Sequence, residues 1–174
     1  VCSSDLGPGS FTGIRIGVSA AKGLAFAADK PCAAVSTLEA MARNVAHMDA
    51  VGVCAMDARR SQIYNALFTA EHGRLTRRTP DRAIGLAELA EELRGDPLPL
   101  VVVGDGAVLC EKALTEAGLP CRLAPPHLVM QNAMSVALCA EDLARAGKLV
   151  SAQELLPVYL RPPQAQRLRQ PPQV

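Results

Sequence analysis

Val51-Gly52-Val53-Cys54-Ala55-Met56, then Asp57-Ala58-Arg59-Arg60-Ser61, then Gln62-Ile63-Tyr64-Asn65-Ala66-Leu67-Phe68-Thr69, read together as two strands joined by a turn. The first six residues are uncharged and read as a buried strand. The next five are a polar turn, and Gln62 to Thr69 alternates apolar and polar like a second strand. Glu71-His72-Gly73 makes another turn into a short third strand near Arg74 to Thr79. Leu86, Leu89, Ala90 and Leu93 then recur at helical spacing, closed by Gly95 and Pro97. Pro99 to Val103 is a fully apolar strand, and Gly104-Asp105-Gly106 opens a helix running to about Ala117. A strand around Pro120 to Ala124 and a helix around Ala133 to Ala146 complete the run. The order is βββαβαβα, which places the chain in the α/β class.

That order is the order of the ribonuclease H-like unit, which occurs twice in the actin-like and sugar-kinase-like folds. The front of the chain repeats the back half of this unit. Gly7-Pro8-Gly9, a helix, Lys30-Pro31-Cys32, a strand to Val35 and a helix from Thr37 parallel Gly104-Asp105-Gly106, a helix, Leu119-Pro120-Cys121, a strand and a helix. The expected organisation is the C-terminal part of a first unit over 1–48 and a second unit over 49–148. A C-terminal strand at Pro157–Arg161 and a loose Pro-, Gln- and Arg-rich tail fill 149–174. The first unit then lacks its opening βββαβ. With Val at position 1, the chain is expected to begin partway through something longer.

Composition narrows the function classes. The chain has 174 residues, 49% apolar and 20% charged, which is ordinary globular composition. Its 18 basic and 17 acidic side chains leave a net charge of +1, so nothing argues for direct, tight nucleic-acid binding. Aromatics make up 3%, too few for a base-stacking platform. The six cysteines (Cys2, Cys32, Cys54, Cys110, Cys121, Cys139) form no C-x-x-C pair, and several sit in apolar runs such as Val53-Cys54-Ala55. They read as buried reduced thiols, which implies a reducing compartment and hence the cytoplasm. The most apolar stretch, Ile14 to Ala28, is broken by Arg15 and Lys22 and is too short to span a bilayer.

The most distinctive segment is Gly7-Pro8-Gly9-Ser10-Phe11-Thr12-Gly13-Ile14-Arg15-Ile16-Gly17. Gly and Pro permit a tight turn, and Ser10 or Thr12 can cap the helix that follows. A Gly-rich turn at a helix start can cradle phosphate, but Gly13 is followed by Ile14 rather than by the Lys and Ser/Thr of a P-loop. On the helix from Ser10 to Ala28, Gly13, Gly17, Ala20, Ala21 and Leu24 line one face. Phe11, Ile14, Val18 and Ala25 form an apolar face beside it. Arg15, Ser19 and Lys22 leave a polar strip only roughly 60° wide at about 100° per residue. An outer helix of an α/β layer buries one stripe and solvates the rest, so something beyond its own sheet is expected to cover this one, either a partner or the missing front of the first unit.

Other chemistries are sought without success. His47, His72 and His127 have no partner at ligand spacing. No G-x-S-x-G elbow or H-E-x-x-H pair occurs. Asp57 ends a strand where phosphotransferases of this class place a metal-binding carboxylate. The turn after it lacks the glycines of a phosphate loop, and Asp57 reads as a turn former.

These residues carry a resemblance. GPGSFTGIRIG at 7–17 with Ala21-Lys22-Gly23-Leu24-Ala25 resembles the signature of the bacterial TsaB family. Val35-Ser36-Thr37-Leu38-Glu39-Ala40, Met56-Asp57-Ala58-Arg59-Arg60 before Ile63-Tyr64, and Pro157-Val158-Tyr159-Leu160-Arg161 resemble its later landmarks in the same order. The resemblance implies the actin-like arrangement of two ribonuclease H-like units and a place in the machinery that makes threonylcarbamoyladenosine in tRNA. It further implies a non-catalytic, cofactor-free subunit. The paralogue TsaD carries the metal and transfers the threonylcarbamoyl group, and the ATPase TsaE joins the pair. Pairing with TsaD is expected through a helical bundle that includes Ser10 to Ala28, with Ser10, Phe11, Gly13, Ile14, Gly17, Val18, Ala21, Lys22 and Ala25 as partner-binding residues. tRNA is then reached only through the complex, and no membrane is involved.

Two departures stand beside the resemblance. Family members precede the signature with an apolar strand where this chain has Cys2-Ser3-Ser4-Asp5-Leu6, so residues 1–6 are expected to be foreign to the gene. The strand-rich opening and a further interface helix are also missing. The alternatives are a homodimeric scaffold using the same helix, or an enzyme: a small-molecule kinase or a peptidase of the wider family.

Overall fold

In a computed structural model of the chain, residues 1–59 and 61–161 are described. The two strands read from Val51 to Thr69 form the centre of the larger of two sheets. Strand β3 (Ala50–Asp57) pairs antiparallel with β4 (Gln62–Glu71), placing Val53 opposite Leu67 and Met56 opposite Tyr64. β4 continues to β5 (Arg74–Arg77) and also pairs with β6 (Arg82–Gly85). On its other side β3 runs parallel to β7 (Leu100–Val103), and β7 runs parallel to β8 (Cys121–Leu123). The path is β5-β4-β3-β7-β8, with β6 beside β4. The smaller sheet is β1 (Cys2–Asp5) parallel to β2 (Cys32–Val35).

Helix α1 (Phe11–Ala27) connects β1 to β2, and α2 (Thr37–Asn44) follows β2. α3 (Leu86–Leu93) precedes β7, α4 (Ala107–Glu116) connects β7 to β8, and α5 (Ala133–Arg145) ends the regular structure. Ser10, Ser36 and Asn132 cap α1, α2 and α5, each side chain accepting an amide from three residues on.

Period-two alternation lets each central strand serve two layers. Val51, Val53 and Ala55 of β3, with Leu100 and Val102 of β7, pack on Leu89 and Leu93 of α3 and Leu114 of α4. Cys54 and Met56, with Val101 and Val103, face Leu38, Met41 and Ala42 of α2. Thus α2, which follows the small sheet, covers the large one. The reverse holds at the other end, where Cys139 and Ala140 of α5 pack on Ala33 and Val35 of β2. Each sheet donates its last helix to the other. The two helices pack together, with an Arg43–Asp142 ion pair across them.

Several expectations change. Residues 2–5 form a strand despite two serines, because the backbone ladder to β2 and the cover of α1 do not require an apolar side chain at every position. Pro157–Arg161 is not a strand: Val158 N–H donates to the Leu6 carbonyl at 2.8 Å, and no ladder develops. Strand β6 was not expected, since Arg82-Ala83-Ile84-Gly85 is too short to show alternation. The tail over 162–174 lies outside the described residues. Cys32, Cys54, Cys110 and Cys139 are buried, Cys2 and Cys121 half-buried, and all six are free thiols.

Candidate docking surface

Helix α1 has two faces of different character. Its inward stripe, Ile14, Val18, Ala21 and Ala25, packs on Leu6, Cys32 and Leu155. These four are among the residues expected to contact a partner; here they are buried against the chain's own small sheet. They recur at the helical repeat that faces β1 and β2, and sequence periodicity alone does not tell which of two adjacent apolar stripes a sheet takes. Gly13 and Gly17 are exposed, as are Ser10 and Phe11, while Lys22 is half-buried. Lys22 Nζ donates to the Gln153 carbonyl at 3.1 Å.

What the helix leaves outside is apolar. Ile16 is 66% exposed and Leu24 67%, with exposed Ala20 between them, and Phe26, near the helix end, is 76% exposed. Ile16 and Phe26 were missed in the sequence because they fall on neither face as first drawn. Beside this side runs a groove of about 560 Å³, floored by Cys2 to Asp5 of β1 and walled by Gly17, Ala21 and Leu24 on α1. Asn132, Ala133 and Val136 of α5 form the opposite wall, with Met134 and Leu138 of the same helix also exposed. A Cβ on Gly17 would meet only Ser4 Oγ, at 3.7 Å, so this glycine keeps the surface low rather than making a tight internal contact. Burial, followed by the neighbouring Cys2 thiol, pushes the Cys32 thiol up beneath the helix.

The other candidates from the sequence resolve into turn structure. Asp57 is exposed; its Oδ1 accepts the Arg59 amide at 2.7 Å, and its own amide donates to Asp105 Oδ1 at 3.1 Å. Gly104-Asp105-Gly106 is a close-packed βα turn whose Gly106 amide donates to the Ala55 carbonyl. His47, His72 and His127 are exposed and lie on separate loops or turns, apart from His127 in a short 3-10 turn (Pro126–Leu128). Among the described residues, no three His, Cys, Asp or Glu side chains are placed to hold a metal together. Among the described residues, no helix is long and apolar enough to cross a membrane.

Comparison with known proteins adds a second line. Residues 6–99 match the family model described as TsaD, tRNA N6-adenosine threonylcarbamoyltransferase. The chain is 39% identical over 110 residues to the tRNA threonylcarbamoyladenosine biosynthesis protein TsaB of Bacillus subtilis, a match covering 63% of this chain and 48% of that one. It therefore spans about half the length of that relative. It is 32% identical over 161 residues to the Escherichia coli TsaB, covering 89% of this chain and 68% of the relative. Among solved structures, a Pseudomonas aeruginosa protein described as similar to the peptidase YeaZ superposes with a TM-score of 0.77 at 25% identity, over 91% of this chain and 72% of that one. A second, YeaZ of the same organism, gives 0.75 at 25% identity over 90% and 73%.

Proposed function

Because the chain belongs to the TsaB family, we propose that it serves threonylcarbamoyladenosine formation in tRNA as a non-catalytic subunit that seats a TsaD-like catalytic chain on α1. The observation that carries this reading is the outward apolar side of α1, with Ile16, Ala20 and Leu24 exposed beside the low ground of Gly13 and Gly17. Small residues let a second backbone approach, and the large apolar ones supply burial of about 1.5–3 kcal/mol each when covered. A TsaE-like ATPase joins the pair in this reading, and tRNA is reached through the assembly.

The same reading takes the architecture as two ribonuclease H-like units, over 1–48 and 49–148. The strand path β5-β4-β3-β7-β8, a three-strand meander continued by parallel strands, supports it. So does the recurrence of β1-α1-β2-α2 in β7-α4-β8-α5.

The test is capture of a TsaD-like chain from the same source by this protein and by Ile16→Asp and Gly17→Leu. Both substitutions fall on exposed positions, so the melting temperature should hold while capture falls at least tenfold. Undiminished capture by both variants would sink the reading. Sedimentation of the protein alone addresses self-association through the same face, which Ile16→Asp would abolish in parallel.

A further inference from the structure

After Val150 bridges Cys32, residues 151–161 cross the molecule as an irregular strap, and its attachments are specific. Leu155 is fully buried between α1 and β2, in contact with the cluster of Ile14, Val18 and Cys32. Val158 N–H donates to the Leu6 carbonyl at 2.8 Å. The Val158 carbonyl passes so near Gly7 that a Cβ there would lie 2.7 Å from it, at a backbone φ of +120°. Arg15 Nε donates to Tyr159 Oη at 2.8 Å, while its guanidinium lies 4.1 Å from the Phe11 ring centroid. Phe11 and Tyr159 stack at 5.2 Å. Finally, Arg161 Nη1 donates to the Ala58 carbonyl at 2.7 Å, on the rim of the large sheet.

The strap compensates for a weakness in α1. Two of the four residues on its inward stripe are alanines. Such a helix buries little apolar area by itself. Leu155 supplies the missing volume, and the two landmark segments, GPGSFTG and PVYLR, form one contact.

We propose that residues 151–161 are a clasp that keeps α1 seated on β1 and β2, and that it opens locally without opening the large sheet. The clasp would thereby govern whether the outward face of α1 is presented. Only that consequence rests on the docking reading; the clasp itself is observable without a partner.

Cys32, sealed under α1 and Leu155, reports opening of the clasp, and Cys54, sealed in the large sheet, reports opening of the rest. Val158→Pro removes the amide donated to Leu6, and Tyr159→Ala removes the ring and hydroxyl from Arg15. Iodoacetamide labelling of each variant, assigned residue by residue by mass spectrometry, should show Cys32 reacting roughly 5- to 10-fold faster. Cys54 should stay at the unaltered protein's rate. Cys32 rates unchanged in both variants overturn the clasp, and so does a matched rise at Cys32 and Cys54 in both. Capture of the catalytic chain by Ile16→Asp is scored separately, so the docking reading can fail while the clasp stands.

Discussion

Gly104 lies against the Ala55 carbonyl so closely that a Cβ at 104 would sit 2.1 Å from that oxygen, with the Gly104 backbone at φ +110°. The contact locks the end of β7 to the neighbouring β3 and sets the start of α4. Both steric overlap and the backbone region forbid any other residue here. Gly104→Ala should lower unfolding stability by about 3 kcal/mol, summing strain and overpacking. Urea unfolding measures it, and a loss under about 1 kcal/mol would show that the turn relaxes freely.

The large sheet was readable because its signals are local and redundant. Val51 to Met56 and Pro99 to Val103 are unbroken apolar runs and Gln62 to Thr69 alternates, each long enough to be recognised, with Gly, Asp and Arg punctuating them. The exchange of α2 and α5 between sheets was not readable. Nothing in Leu38, Met41 or Cys139 states which sheet they will face, since an amphipathic stripe specifies that it is buried and not by what. The docking helix was half legible for the same reason. Its excess of apolar surface shows in the sequence, but that Ile14, Val18, Ala21 and Ala25 form the inward stripe depends on packing with Leu155, more than a hundred residues away. Strand β1 was hidden behind Ser3 and Ser4, whose ladder to Ala33 and Ala34 is backbone chemistry.

The two faces of α1 should respond oppositely to substitution. Ile14 is packed in the cluster with Leu6 and Leu155, so Ile14→Ala should cost about 2–3 kcal/mol. Gly23 is exposed, and a Cβ there would meet no atom within 4 Å. Gly23→Ala should therefore stabilise the protein by about 0.5–1 kcal/mol, through helix propensity alone. Thermal melts of the two variants give the comparison, and a destabilised Gly23→Ala would mean that this side is covered within the chain.

Arg77 joins the hairpin of the large sheet to the helix that follows the small one. Its two terminal nitrogens reach Glu39 at 2.7 Å and Asp81 at 2.6 Å, and the other Asp81 oxygen accepts Ser36 Oγ at 2.6 Å. The guanidinium also lies 4.6 Å from the Phe68 ring centroid. Shared partners make the energies non-additive. Arg77→Met should cost about 1–2 kcal/mol, and Glu39→Gln should cost markedly less once Arg77 is gone. A double-mutant cycle in denaturant reads the coupling; strict additivity would show that these ions act independently.

Alkaline pH should weaken the fold through its buried thiols. Burial, with a smaller contribution from Cys121, pushes the Cys110 thiol from 9.0 up to about 12. Burial also raises Cys54, whose sulfur donates to the Leu38 carbonyl at 3.1 Å. The folded state thus holds its thiol protons more tightly than the unfolded chain does. Below pH 9 both states keep them and stability is flat. Above it the unfolded chain releases protons that the folded one retains, so stability falls as pH rises. Each such thiol should remove about 1.4 kcal/mol per pH unit across that window. Urea midpoints at pH 7, 9 and 10 test the slope, and Cys110→Ala should reduce it by one thiol's share. An identical slope in Cys110→Ala would place the alkaline loss on other groups.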